Sequence, residues 1–522
     1  MGIGCCIQRC GEERVSMMNQ INVLLISVLA AGTSAQPTPV SGERVDGFVA
    51  RWDAWVESIP SDQQAWGLIQ EVEAEVELVR GDGHGLWFDP EPDPDYLEDQ
   101  KEWAWTVAFV ENNQPLIGKI RAYADRTFTG VPLGESSLIH QRLGSDGYVV
   151  DDTPMPKTFR DMVPTHLGLM RSHLDLLLTD MYLASQDGDV DRVLLDLRAI
   201  AGMARLSPTT HSFLDQLVVQ AFGSVISRQM LEHDVGLDQF NDAQLQELMG
   251  ILEAVERLYD TASMVQYERM VSTEFLNWIF EDSDDEGRIG PLGVARVVDV
   301  GRSNESGRWM GLDEYELGSD QVEISKIAVA LGPTFLRPRI AGEHEQREYA
   351  KNYFDAVEAE LRISLHVLRS WPVATLSSSA TEHFISKVSL SPAIHSIEDL
   401  SGLPLNLSIG STQIHAAQML VALHRFKIRH GEFPSALSDL DADLLAHAPI
   451  DGYSGEMLKY KLVDGEPMIY SVGTDRDDDG GRANTDWDGA WPDFLTLDEL
   501  EALDEPGRAG IDGDWVLYPA VR

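Results

Sequence analysis

The chain has 522 residues, and 43% of them are hydrophobic, enough to build globular cores and too many for a disordered chain. That length implies two to four domains. Its 40 basic and 86 acidic residues leave a net charge of -46, which repels phosphate backbones and anionic headgroups and argues against nucleic acid as a partner.

All three cysteines, Cys5, Cys6 and Cys10, precede the first apolar run, Ile21 to Ala31. That run is too short for a comfortable membrane span. It ends in Gly32-Thr33-Ser34-Ala35-Gln36-Pro37, where small residues at Thr33 and Ala35 suit signal peptidase cleavage after Ala35. Residues 1–35 therefore read as leader and signal peptide, with Met17 or Met18 as alternative starts. The expected location is periplasmic or secreted. Left uncleaved, residues 21–31 would anchor the chain to the inner membrane, its one expected membrane contact. No cysteine follows the run, so neither a lipoprotein anchor nor a disulfide is expected.

Residues 36–400 read as an α-helical region. Phe48, Trp52 and Trp55 recur at helical spacing, and Trp66, Ile69, Val72 and Val76 continue the pattern. Alternating prolines in Asp89-Pro90-Glu91-Pro92-Asp93-Pro94-Asp95 forbid helix there. Trp103, Trp105, Phe109, Leu116 and Ile120 then resume. Helices are expected over Met162 to Leu183, closed by Gly188, over Val190 to Leu206, stopped by Pro208, and over Leu214 to Leu231. A last long helical stretch runs from Ala243 to Phe280. Short polar breaks imply antiparallel neighbours, hence a helical array or bundle. Glu281-Asp282-Ser283-Asp284-Asp285-Glu286-Gly287 interrupts the run and marks a subdivision near 281–320. Asp282, Asp284 and Glu286 alternate, but Gly293 stands where a last acidic ligand should be, so this reads as a solvated loop. Tyr349 to Leu368 returns to helix.

Composition shifts after Ser379 towards Ser, Pro and Gly, which places a separable boundary between Ser377 and Ser411. The unit that follows, 405–522, reads as one helix and a small antiparallel sheet. Ser411 or Thr412 is expected to cap the helix, which buries Ile414, Ala417, Leu420, Val421, Leu423 and Ile428 and ends at Gly431. Strands are expected at Met457 to Leu462, Pro467 to Val472 and Trp515 to Tyr518. The fold class is thus mainly α, an N-terminal helical array followed by a small α+β domain.

Between the last two strands, Asp475, Asp477 and Asp479 alternate, Gly480 follows at once, and five residues separate it from Asp486. This is the oxygen-donor spacing of a calcium loop, with Asp in place of the usual final Glu. Asp475, Asp477, Asp479 and Asp486 are the candidate metal ligands, and calcium is the cofactor expected.

The order of features in this tail is specific. A long helix leads to His430-Gly431-Glu432-Phe433-Pro434, then to Pro449-Ile450-Asp451-Gly452-Tyr453-Ser454-Gly455 and Leu458-Lys459-Tyr460. Met468-Ile469-Tyr470-Ser471-Val472-Gly473, the acidic loop and Gly513-Asp514-Trp515-Val516 close it. The last fifth of the chain resembles the globular domain of the major pseudopilins of the type II secretion system. The resemblance implies a calcium ion in the loop between the last strands, held best by Asp475 and Asp479 with Asp477 or Asp486 supplementary. One departure matters: Ile21 to Ala31 holds no acidic residue and lacks a prepilin cleavage site, so a place in a filament does not carry over.

Catalytic signals are weak. His166 and His173 share a helical face, as do His344 and Glu348, and neither pair reaches a metal-ligand count. H-E-x-x-H, G-x-S-x-G, phosphate-loop and dinucleotide motifs are all missing. No catalytic residue is assigned. The expectation is an exported, non-enzymatic envelope protein with a helical interaction region, a protein partner and a link to secretion or surface assembly. The alternative is an exported hydrolase with paired carboxylates in the helical region.

Overall fold

A computed structural model describes residues 45–80, 97–132, 165–208, 212–231, 236–290, 342–361, 403–445, 447–473, 477–482 and 514–519. The expected signal segment, the proline loop and the boundary stretch 377–402 lie outside these. The described chain is mainly helical with a small three-stranded antiparallel sheet. The helices are α1 (Val45–Ser58), α2 (Trp66–Arg80), α3 (Leu97–Asn112), α4 (Gln114–Arg121), α5 (Thr165–Asp187), α6 (Val190–Leu206), α7 (Phe213–Leu231), α8 (Asp242–Glu256), α9 (Thr261–Ile279), α10 (Glu343–Leu361) and α11 (Leu403–His430). The strands are β1 (Lys459–Val463), β2 (Glu466–Ser471) and β3 (Trp515–Tyr518). No helix among the described residues is long and apolar enough to cross a membrane.

Local chemistry sets the helix ends. Asp189 caps α6 by accepting from the Arg192 N–H at 3.2 Å, and Gly188 turns the chain before it at φ +72°. Asn241 and Gln244 form a reciprocal capping box on α8. The stretch expected as helix from Ala243 to Phe280 is two helices. Asp260 accepts from the Ser263 N–H at 3.0 Å and caps α9, so the chain restarts there. At the other end of the series, Gly431 (φ +87°) stops α11, its N–H donating to the Lys427 carbonyl at 2.7 Å.

Helix α11 begins eight to nine residues earlier than the expected cap at Ser411 or Thr412. Pro404 falls in its first turn, where a missing N–H costs nothing. Thr412 therefore sits inside the helix, buried, and its hydroxyl accepts from the Gly452 N–H at 3.0 Å.

The main core runs without interruption from α2 to the sheet. Ile69, Val72 and Val76 of α2 and Leu176, Leu177 and Met181 of α5 are fully buried in it. So are Ile414, Leu420 and Leu423 of α11 and Ile469 and Leu517 of the sheet. Helix α11 packs on α7 and α8 with one face and carries β2 and β3 on another. A smaller cluster sets Phe48, Val49, Trp52 and Val56 of α1 against Tyr267 of α9. The Trp52 indole also donates to the Val131 carbonyl at 2.8 Å.

In the sheet, order β1-β2-β3, a two-residue turn at Asp464 and Gly465, both with positive φ, joins β1 to β2. That turn fixes the register, Lys459 opposite Tyr470 and Lys461 opposite Met468. A bulge between Ile469 and Tyr470 offsets β3. Strand β2 is thus aimed so that the chain leaves Ser471 and Val472 directly into the acidic loop.

Candidate metal centre

Three short segments build the site: the end of β2, the loop residues 477–482, and the start of β3. Tyr470 points from β2 onto the loop, and its hydroxyl donates to Asp478 Oδ1 at 3.2 Å. The same oxygen accepts from the Gly480 N–H at 3.0 Å. Gly480 and Gly481 both take positive φ, +72° and +80°, and so turn the loop back over the sheet. A Cβ on Gly481 would come within 2.8 Å of Met468 Sδ, so that flexible side chain would have to shift. Lys461 of β1 closes the turn by donating to the Gly480 carbonyl.

Asp514 opens β3 and is 1% exposed. Its Oδ2 accepts from the Gly481 N–H at 2.6 Å, and its own N–H donates to the Arg482 carbonyl at 2.8 Å. Among the described residues its Oδ1 is buried with no hydrogen-bond partner. Asp479 is similar. Arg482 holds its Oδ1 at 2.8 Å, while its Oδ2 is buried and has no partner among the described residues. Burying a carboxylate oxygen without a partner costs free energy. Burial pushes the Asp514 carboxyl up, and the charges of Asp478 and Asp479 push it further, against the N–H groups of Gly481 and Asp479. A cation between Asp479 and Asp514 would satisfy both orphaned oxygens and reverse that repulsion.

Of the expected ligands, Asp479 is turned inward and Asp477 is exposed. Asp475 and Asp486 lie outside the described residues. Asp514 belongs to the cluster and was missed by spacing, because it is 33 residues from Gly481, the loop residue it binds. Among the described residues, no group of three or more His, Cys, Asp or Glu side chains is gathered as a metal would require. The described part of the centre is therefore a pair of inward carboxylates, with hard oxygen donors that suit calcium rather than a soft metal.

The base of the loop is tied down by Asp451, which is fully buried. Its Oδ1 accepts from the Tyr453 N–H at 2.9 Å and the Ser471 hydroxyl at 2.8 Å. Its Oδ2 accepts from the Ser454 hydroxyl at 3.0 Å and the Val472 N–H at 3.2 Å. In the sequence it stands in the Pro449–Gly455 segment that the resemblance quotes before the strands. In the structure it clamps that turn to the end of β2.

Among the described residues, the helical region holds a buried carboxylate pair, the kind of group a hydrolase would need. Asp180 of α5 and Asp196 of α6 are both fully buried. Arg121 grips Asp196 with two bonds, 2.6 and 3.2 Å, and also reaches Asp180 Oδ2. Arg192 grips Asp180 through both oxygens, its Nε at 2.9 Å, and Gln114 adds a bond at 2.7 Å. Every oxygen of the pair accepts a bond from Arg121, Arg192 or Gln114. This is a structural ion network. His166 and His173 do share a face of α5, and both are buried. His173 lies between the Tyr123 hydroxyl at 2.9 Å and Glu73 at 3.1 Å, tying three elements together. His166 faces only the Ser207 carbonyl, at 3.3 Å, and burial lowers its pKa to about 4. In the 281–287 loop, Asp284 Oδ1 accepts from the N–H groups of Glu286 and Arg288, in keeping with a self-satisfied acidic turn. No family model, no curated protein and no solved structure matches the chain.

Proposed function

We propose that the protein is an exported, non-enzymatic envelope protein. In this reading its helical region offers a surface to a protein partner, and its pseudopilin-like tail is stabilised by calcium and linked to secretion or surface assembly. The observation that carries the reading is the pair of buried, unpartnered carboxylate oxygens of Asp479 and Asp514 beneath the acidic glycine-rich loop. Asp475, Asp477 and Asp486 are the further ligands expected from the sequence pattern, and backbone carbonyls complete the six to eight oxygens that calcium takes. The hydrolase alternative is less favoured because the buried Asp180–Asp196 pair is engaged by Arg121, Arg192 and Gln114 in ties between helices.

Export is the second half of the proposal. N-terminal sequencing of the protein recovered from the envelope or periplasmic fraction is expected to begin at Gln36. A cytoplasmic protein with its starting methionine segment intact would overturn that half and leave the calcium half to be judged separately.

A further inference from the structure

Helix α11 is the element common to the helical region and the tail, and His415 stands at their seam. Its Nδ1 lies 2.7 Å from the Ile450 carbonyl of the tail. Its Nε2 lies 3.1 Å from Glu256 Oε1 at the end of α8. Both neighbours are acceptors only. A neutral imidazole carries one N–H and one lone pair, so it can satisfy one of them and must turn its lone pair on the other. Only the doubly protonated cation satisfies both. His173 differs, because the Tyr123 hydroxyl beside it can donate as well as accept. We propose that His415 is a cationic clasp that fastens the 447–458 turn of the tail to α8, and that its deprotonation releases that turn.

The surroundings support the charge. From α8 the ionisable neighbour is Glu256, which Gln418 of α11 also holds at 2.8 Å. From the tail turn it is His447, whose charge also acts on Glu256. The face of α7 that packs on α11 meets Gly410 through Gln220 and Ile414 through Gly223, and both residues are uncharged. Along α11 the next ionisable group is His424, more than two turns away. Burial alone would lower the His415 pKa, but the Glu256 bond, the Ile450 carbonyl and the Glu256 charge outweigh it and raise the pKa above 6.5. The bond to His415 in turn holds Glu256 below its ordinary 4.5.

The sign follows. A raised histidine contributes stability that is complete below its unfolded value, near pH 6.5, and is lost as pH rises through its higher folded value. The turn it holds is bridged by amides that exchange measures: Asp451 to Glu456, Leu458 to Pro449, and Gly452 to the Thr412 hydroxyl. From this turn Asp451 reaches Ser471 and Val472, so release of the clasp loosens the base of the acidic loop as well.

The test is hydrogen exchange of residues 447–458 in the full chain, read as protection factors between about pH 6 and pH 9 to bracket the histidine transition. Protection is expected to fall with rising pH, by about tenfold for each unit by which closure raises the imidazole. In His415→Gln the turn is expected to be less protected and independent of pH. Glu256→Gln keeps the acceptor oxygen and removes the charge, so its transition is expected at lower pH than in the wild type. Protection that stays level in the wild type, a His415→Gln variant that keeps the wild-type pH dependence, or an unmoved transition in Glu256→Gln would each overturn the proposal. Should His415→Gln not fold, the Glu256→Gln midpoint decides alone.

Discussion

Arg121→Ala is expected to destabilise the helical region by about 3–5 kcal/mol, the usual penalty for breaking a buried ion pair from one side. The substitution strips Asp196 of both its arginine bonds and Asp180 of one, and both carboxylates are fully buried. Burial already holds the Asp196 carboxyl well above its ordinary range against the pull of Arg121, so loss of that arginine is expected to raise it further and the variant to regain some stability as pH falls. Urea unfolding followed by far-ultraviolet circular dichroism measures the loss. A change below about 1 kcal/mol, the range of a surface pair, would mean the network is solvated and not the fastening between α4, α5 and α6 described above. Replacing Arg121 and Asp196 together by apolar residues of similar volume is expected to cost much less than Arg121→Ala, since no lone charge is then left inside.

The second large effect lies in the tail. Asp451→Ala removes the acceptor for two backbone N–H groups and two hydroxyls, all buried or partly buried. Each orphaned buried donor costs about 1–3 kcal/mol. The combined loss is expected to be about 3 kcal/mol or more, seen as unfolding at a lower urea concentration. Asp451→Asn keeps two or three of the bonds and is expected to fall between. Tryptophan fluorescence, to which Trp515 beside Tyr453 contributes, follows this transition. If Asp451→Ala and the wild type unfold at the same urea concentration, the turn is held by its apolar contacts and the buried carboxylate is incidental.

Much of the architecture was legible because it rests on periodicity and punctuation. Trp66, Ile69, Val72 and Val76 gave α2 its buried face, and Gly188, Pro208 and Gly431 marked ends that the structure keeps. The break at residues 257–260 was not, because Leu258 and Tyr259 prolong the apolar pattern. The signal that separates α8 from α9 is a single residue, Asp260, acting as a cap. The early start of α11 was hidden for the opposite reason: Pro404 reads as a breaker unless it is recognised as a first-turn residue. Distance in sequence explains the rest. The acidic loop announces Asp479 by its spacing, but Asp514 enters the cluster only when β3 pairs with β2. Arg121 meets Asp196 across 75 residues, and His415 meets Glu256 across 159. Such meetings depend on helix packing, which no local pattern records.

The central claim is that a calcium ion relieves the Asp479–Asp514 pair and so stabilises the tail. Thermal melts of the full chain, followed at the tryptophans, test it in calcium, in magnesium and in chelator. A ligand that binds only the folded state raises stability with the logarithm of its free concentration, about 2.7 kcal/mol at a hundredfold excess over Kd. Calcium is therefore expected to raise the tail transition progressively. Magnesium should do so weakly, because it demands a tighter octahedral shell and keeps its waters. Asp479→Asn and Asp514→Asn are expected to abolish most of the calcium response, and to melt in chelator no lower than the wild type because they remove the buried repulsion. A wild-type midpoint indifferent to calcium, or variants that respond to calcium as the wild type does, would contradict the account.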